Sequence, residues 1–316
     1  MTIYKQIKDV IEKYNKIIIL RHIIPDGDSY GSQLGLKELI KTNYPNKEVY
    51  AFGEEIEYLK HAGKPDEFTD ESIFNEALVI VTDCGNVERI DNQNYDKGAY
   101  LLKIDHHPDA TPYGDLSWVD VTYTSASEMV GDLAIQNNWE ITPVAARVIY
   151  HGICTDSGRF LFGGLSPRTF EVAAKLIGTG FDVSEMYKTM YKRSFPVIAL
   201  QSELIASAKV TDHKVGYVIL TDELMKKYNL SYDENGKFSN LLKDIEGIDI
   251  WITFSIREDG KWRVEFRSNN LAINDLAVKW GGGGHKLASG AIIDNLDQVM
   301  QVVEDANQIN NLLNDE

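Results

Sequence analysis

The stretch Lys16-Ile17-Ile18-Ile19-Leu20-Arg21-His22-Ile23-Ile24-Pro25-Asp26-Gly27-Asp28-Ser29 holds the change of character that decides the fold. Residues 16–20 read as a buried strand, and the chain then breaks into a polar loop before a helix over roughly residues 31–42. The same transition recurs. Residues 49–52 read as a second strand. Residues 77–81 form an apolar run that ends in Thr82-Asp83-Cys84-Gly85, and residues 100–104 one that ends in Asp105-His106-His107-Pro108. Such continuous apolar strands belong inside a parallel sheet covered on both faces. Ser125-Ala126-Ser127-Glu128 reads as a capping box opening a helix through about residue 137. Pro143 suits the first turn of another helix, which reaches Cys154. Strands alternating with helices imply a doubly wound α/β domain, mainly parallel, over residues 1–182.

Beyond residue 182 the pattern changes. Residues 183–209 read as amphipathic helix interrupted at Pro196, and form the expected helical connector. Strands follow at 214–220, 249–256 and 261–267, the last two joined by a hairpin turn at Glu258-Asp259-Gly260. A short helix (273–279), the run Gly281-Gly282-Gly283-Gly284, a strand (288–293) and a helix (296–313) complete a smaller α+β domain over residues 210–316. A length of 316 residues also favours two cores over one.

The bulk composition narrows the function. A net charge of −16 counts against a long duplex nucleic acid as partner, since such partners select a basic face. It leaves room for a small phosphorylated substrate. No apolar run approaches the ~20 residues of a membrane helix, and the first residues lack a signal-peptide pattern, so a cytoplasmic protein without a membrane partner is expected. The two cysteines, Cys84 and Cys154, fit a reducing compartment and read as small buried residues, not as ligands.

The chemistry lies where the Asp and His residues fall. Each polar cluster begins where an apolar strand ends, and the carboxyl ends of parallel strands line one crevice. His22, Asp26, Asp28, Asp83, Asp105, His106 and His107 would therefore meet there, with Asp156 joining from the end of an apolar helix. A lone Asp-Gly-Asp is usually a turn or a cap. However, three of only 7 histidines fall in these strand-end clusters, which favours function. So many carboxylates cannot stay ionised side by side without cations. A pair of divalent metals resolves the crowding, and mixed carboxylate and imidazole donors suit Mn²⁺, Fe²⁺ or Zn²⁺. Such a pair activates water and stabilises the attacking and leaving oxygens of phosphoester hydrolysis. His61 and His213 read as surface-loop residues, and His151 as a packed helix residue. The four glycines admit close backbone approach to a phosphate. Arg267 and Arg159 offer planar forks for phosphate, and Phe160 reads either as a stacking platform or as core.

These motifs carry a resemblance. His22-x3-Asp26-Gly27-Asp28-Ser29-x-Gly31-Ser32, Thr82-Asp83, Asp105-His106-His107-Pro108 and Gly152-x3-Asp156-Ser157-Gly158-Arg159-Phe160 look like the four ordered motifs of the DHH phosphoesterase superfamily. Gly281-Gly282-Gly283-Gly284-His285-x2-Ala288-x-Gly290 looks like the glycine-rich signature of its associated C-terminal domain. The resemblance implies that His22, Asp26 and Asp83 hold one metal and that Asp28, Asp83, His106 and Asp156 hold the other, with manganese the expected ion. It assigns His107 to the scissile phosphate or the leaving group, and Asp105 to orienting the histidines. Arg267, Ser268, Gly282, Gly283, Gly284 and His285 would bind substrate, with Arg159 beside the metals.

The chain's size and second domain resemble the subfamily of nanoRNA hydrolases that also act on pAp (3′-phosphoadenosine 5′-phosphate). Short RNAs of two to five nucleotides, cut to 5′-mononucleotides, and pAp are the expected substrates. Linear dinucleotides such as pApA, or nucleotide binding without catalysis, are the alternatives. The oligomeric state is open, a homodimer included. No Gly-x-Gly-x-x-Gly follows the first strand, which counts against a dinucleotide-binding dehydrogenase.

Overall fold

A computed structural model describes residues 1–68, 70–162 and 164–314, apart from the side chains of Asp233, His285 and residues 310–314. The chain divides into two compact units, Met1–Tyr191 and Lys192–Glu316.

The first unit runs α1 (Ile3–Lys13), β1 (Lys16–Leu20), α2 (Gly27–Asn43), β2 (Glu48–Ala51), β3 (Leu78–Thr82), β4 (Tyr100–Asp105), β5 (Leu116–Val119), α3 (Ala126–Gln136), α4 (Pro143–Asp156), α5 (Pro167–Ile177) and α6 (Val183–Met190). Its five strands are all parallel, in the order β2-β1-β3-β4-β5. Both faces are covered, which is why the strands lack a polar alternation. Ile17, Ile19, Leu78, Ile80, Leu102 and Ile104 face a core shared with the helices. Ile18, Leu20, Val79 and Val81 face a second core closed by Phe52, Phe74 and Ile90. Strand order reverses at β1, so the loops after β1 and β3 part and leave a crevice at their carboxyl ends.

Three local features differ from expectation. Helix α2 begins at Gly27, earlier than residue 31, because Asp26 caps it: Oδ1 accepts the amides of Asp28 and Ser29, each at 3.0 Å. The box at Ser125 is only half made. Ser125 Oγ accepts the Glu128 amide at 2.9 Å, but the Glu128 carboxylate reaches past it to the Thr124 amide and to Arg168 Nε. Strand β5 follows Gly114-Asp115, and its four residues are too few to show a period in sequence.

Helices α2 and α4 cross on a ridge of glycines at i, i+4 and i+8. A Cβ on Gly31 would lie 2.7 Å from Gly152 Cα and 2.4 Å from Ser127 Oγ. One on Gly27 would meet Thr155 Oγ1 at 2.4 Å, and one on Gly35 would meet Ile149 Cγ1 at 2.3 Å. The absent side chains let α4 settle onto α2, which brings its last residue, Asp156, to the start of α2.

The second unit runs α7 (Phe195–Ser207), β6 (Lys209–Val210), β7 (Val215–Leu220), α8 (Asp222–Lys227), β8 (Ile250–Ile256), β9 (Trp262–Ser268), α9 (Asn274–Lys279), β10 (Gly283–His285), β11 (Ala288–Ile293) and α10 (Val299–Asn314). Its sheet has the order β10-β11-β9-β8-β7-β6, parallel only between β7 and β8. Val299, Val302 and Val303 of α10 cover one face. Val197, Leu200 and Leu204 of α7 pack with Val218 and Trp251 on the other. The segment read as one connector is thus shared, since α6 buries Met186 in the core of the first unit.

Candidate metal centre

His22 leaves β1 with its ring fixed. Nδ1 lies 2.8 Å from Ile23 O, which can only accept, so Nδ1 carries the proton of the neutral ring and Nε2 the lone pair. That Nε2 is 3.4 Å from Asp83 Oδ2 and 3.8 Å from Asp26 Oδ1. Asp83 follows β3 at φ 54°, a left-handed backbone that Asp tolerates better than most residues. Its amide donates to Ile104 O at 3.0 Å, which ties the turn to β4. On the far side of Asp83, His106 Nε2 lies 3.6 Å from Asp83 Oδ1, 3.8 Å from Asp28 Oδ2 and 3.4 Å from Asp156 Oδ2.

Two trios of ligand atoms result, His22-Asp26-Asp83 and Asp28-His106-Asp156, each compact enough for one ion, with Asp83 between them. A third grouping is Asp83-His106-His107. In it, His107 Nδ1 is already 2.9 Å from Asp105 Oδ1, which favours the first two as ion sites.

The donor set fits divalent cations. Asp83 Oδ1 is buried without a hydrogen-bond partner, a costly state for a carboxylate oxygen unless something charged meets it. Burial, and then the charges of Asp83 and Asp156, push the Asp28 carboxyl well above the usual carboxylate range. Asp156 rises to about 7 through burial, against His106, with Asp83 and Asp26 adding to the rise. Burial would lower His106, but the Asp83 carboxylate facing it and the charges of Asp28 and Asp156 raise it to about 10. Burial likewise opposes ionisation of Asp83, but the facing His106 and His22 rings outweigh it and hold its carboxyl below the usual carboxylate range. Such crowding of carboxylates and imidazoles is relieved when cations enter and displace protons.

The outer residues are placed as well. The Asp28 carboxylate accepts the amides of Ala126 and Ser127 at the N-terminus of α3, each at 2.8 Å. Asp105 Oδ1 takes both the ring Nδ1 and, at 3.2 Å, the amide of His107. Arg159 is exposed at φ 65°, its guanidinium 5.3 Å from the Tyr191 ring centre. Phe160 packs on Phe170 and Tyr150, which resolves its two readings toward core.

In the second unit, Arg267 is half-buried and donates to the carbonyls of Phe266 (2.9 Å) and Ser289 (3.3 Å). Ser268 is buried and donates its hydroxyl to Leu271 O. The glycine run forms β10 against β11: Gly283 pairs with Gly290, while a Cβ on Gly282 would meet Gly290 O at 2.0 Å and one on Gly284 would meet Ser289 Cα at 2.6 Å. Strand packing therefore gives Gly282 and Gly284 a structural reason. The His285 side chain lies outside the described residues.

Two histidine readings change. His151 is buried as expected, but His61 is no simple surface residue, since its Nε2 lies 3.0 Å from His151 Nε2. Lys103, fully buried beside Asp105, is not among the residues expected from the sequence. A lone Lys inside the apolar run Leu101-Leu102-Lys103-Ile104 was the available signal. A cavity of about 580 Å³ in the same unit, lined by Glu54, Glu55, Asp66, Glu67 and Asp91 among others, shares no residue with the cluster.

Residues 16–153 match the model of the DHH family N-terminal domain, and residues 212–311 match the DHHA1 domain. A protein of Bacillus subtilis named bifunctional oligoribonuclease and PAP phosphatase NrnA is 39% identical over 298 residues, 93% of this chain and 95% of that one. The chain belongs to the DHH family. A protein of Mycoplasma genitalium with the same name is 36% identical, covering 94% of each chain. Among solved structures, an exopolyphosphatase-related protein from Bacteroides fragilis superposes with a TM-score of 0.91 at 24% identity, over 99% of this chain and 98% of that one. At that identity the likeness speaks for the DHH fold. Among the described residues no helix is long and apolar enough to cross a membrane.

Proposed function

We propose that this DHH protein is a metal-dependent phosphoesterase that hydrolyses short oligoribonucleotides to 5′-mononucleotides and pAp to AMP and phosphate. One observation carries the reading: ligand atoms from just beyond β1, β3 and β4, from the start of α2 and from the end of α4 converge as two trios, with Asp83 between them. The names of the Bacillus and Mycoplasma relatives support the substrate class. Two divalent ions, manganese first among them, would be held by His22, Asp26 and Asp83 and by Asp28, Asp83, His106 and Asp156. When bound, such a pair supplies an activated water and charge stabilisation for in-line displacement at phosphorus.

The chain's own residues do the rest. Asp83 faces His22 at 3.4 Å with one oxygen and His106 at 3.6 Å with the other, and so would serve both sites. Asp105 holds the ring of His107 at Nδ1, so that Nε2 serves the scissile phosphate or the departing oxygen. Arg159, Arg267, Ser268, Gly282, Gly283, Gly284 and His285 are assigned to substrate binding, where guanidinium forks and backbone amides suit phosphate.

The test is product analysis on 5′-labelled RNAs of two to five nucleotides and on pAp, with Mn²⁺ and with chelator. Mononucleotides and AMP should appear only with metal, and Asp83→Ala should abolish both. Full activity of Asp83→Ala, or of the chelated protein, rules the mechanism out. Turnover confined to linear dinucleotides such as pApA would replace the substrate and leave the centre intact.

A further inference from the structure

Lys103 occupies the interior of β4 with no solvent exposure. Side chains two apart on a strand share a face, so Lys103 and Asp105 stand side by side, next to Val81 of β3. Lys103 Nζ lies 3.5 Å from Asp105 Oδ2, the oxygen that has no hydrogen-bond partner, while Oδ1 of the same carboxylate holds His107. The ammonium also donates to Asp109 Oδ1 at 2.9 Å and to Gly85 O at 3.3 Å, and lies 4.5 Å from the Tyr113 ring centre. Tyr113 in turn donates to Cys84 O at 2.6 Å. A buried ammonium costs several kinds of solvation, and this one is directed at the two loops that carry Asp83 and His107.

We infer that Lys103 is a positioning residue for the reaction, its charge holding the Asp105 carboxylate in the orientation that fixes the His107 ring with the proton on Nδ1. The inference rests on the role given to His107 above. A buried cation beside the second carboxylate oxygen leaves Oδ1 as the acceptor for His107. Without that cation the carboxylate is neither anchored nor balanced, and the ring loses its fixed tautomer. Asp109 shares the ammonium, whereas Asp105 is the carboxylate bonded to the His107 ring, so tethering the lysine and positioning the histidine are separable.

The experiment compares wild type, Lys103→Gln, Lys103→Arg and Asp109→Asn. Imidazole ¹⁵N spectra of chelated protein read the His107 tautomer, with the signal assigned by its loss in His107→Gln. Hydrolysis of a labelled trinucleotide RNA with Mn²⁺ gives kcat and KM. Lys103→Gln should mix the tautomers and lower kcat by about 10–100-fold with KM little changed, the usual range for losing an orienting partner. Lys103→Arg should restore the Nδ1–H form, and Asp109→Asn should keep both tautomer and kcat. A wild-type tautomer and kcat in Lys103→Gln overturn the inference, as does an Asp109→Asn loss that matches it. Should Lys103→Gln not fold, a mixed tautomer in Lys103→Arg overturns it equally. If the wild type cleaves no short RNA, the proposed function fails, while the spectra still decide the role of Lys103.

Discussion

Asp28 Oδ1 accepts the backbone amide of Ser127 at 2.8 Å across a sequence separation of 99 residues. One carboxylate is thereby both a candidate ligand and the anion at the N-terminus of α3, where two amides without a partner inside the helix and the helix dipole favour negative charge. Asp28→Asn replaces one accepting oxygen with a donor and so opposes an amide already pointing at it. Purified Asp28→Asn should carry less metal and lose at least about 100-fold in turnover, a cost in the range set by losing a ligand and a charge-assisted bond together. Metal analysis beside kinetics checks this, and an unchanged metal content would contradict it.

Asp26 has a similar double role that can be split. Its side chain caps α2 and faces His22. Asp26→Ser keeps a capping oxygen and removes the carboxylate, so urea stability of the chelated protein should change by less than about 0.5 kcal/mol while metal affinity falls. Asp26→Ala should cost about 1 kcal/mol in addition. Equal stability losses in the two variants would show that the cap is not the source.

The glycine ridge sets the seat of α4. Gly31→Ala should destabilise by about 1–3 kcal/mol, as overpacking does, because its new Cβ meets both Gly152 Cα and Ser127 Oγ. Ser127→Ala in the same chain should recover part of that loss in denaturant titrations, since it removes one of the two clashes. Simple additivity of the two changes would refute the shared contact.

Metal binding should raise the melting temperature, because the trios exist only in the folded chain. An ion at 100 times its dissociation constant adds about 2.7 kcal/mol per site. Differential scanning fluorimetry with and without chelator measures the shift, and Asp83→Asn should remove most of it. Equal shifts in wild type and variant would place the ions elsewhere.

His151 gives the fold a dependence on pH. Burial, and then the neighbouring His61 and Arg147, push its imidazole down to about 3, whereas an unfolded histidine titrates near ~6.5. Between those values the unfolded chain binds the extra proton, so the stability tied to this residue is present above about pH 6.5 and falls away toward pH 3. The slope is at most about 1.4 kcal/mol per pH unit. Urea midpoints of chelated wild type and His151→Gln from about pH 4.5 to 6.5 test this. The variant should show the shallower slope, and identical slopes would exclude His151.

Much of the centre was legible because its residues follow apolar strands, and apolar strands are easy to read. His22, Asp83 and His106 each sit one or two residues beyond such a run. The helix ridge was hidden, since Gly27, Gly31 and Gly35 look like ordinary weak points in a helix until α4 is laid against them. Lys103 was hidden for the opposite reason, because one charge in an apolar run does not disturb its reading as a strand. His61 and His151 lie 90 residues apart, and nothing local to either announces the other. In the second unit the glycine run at β10 could be read as loop or cradle, and only the partner strand, at Gly290 and Ser289, supplies the packing that Gly282 and Gly284 answer to.

The late position of Asp156 along the chain has a consequence for the order of events at birth. The first trio is complete once residue 83 has been made, but the second waits for the last turn of α4. A nascent chain that has not yet docked α4 would offer an ion the first trio alone. Completion of the second trio would then coincide with closure of the glycine ridge, so that full metal loading would report that α4 has docked on α2.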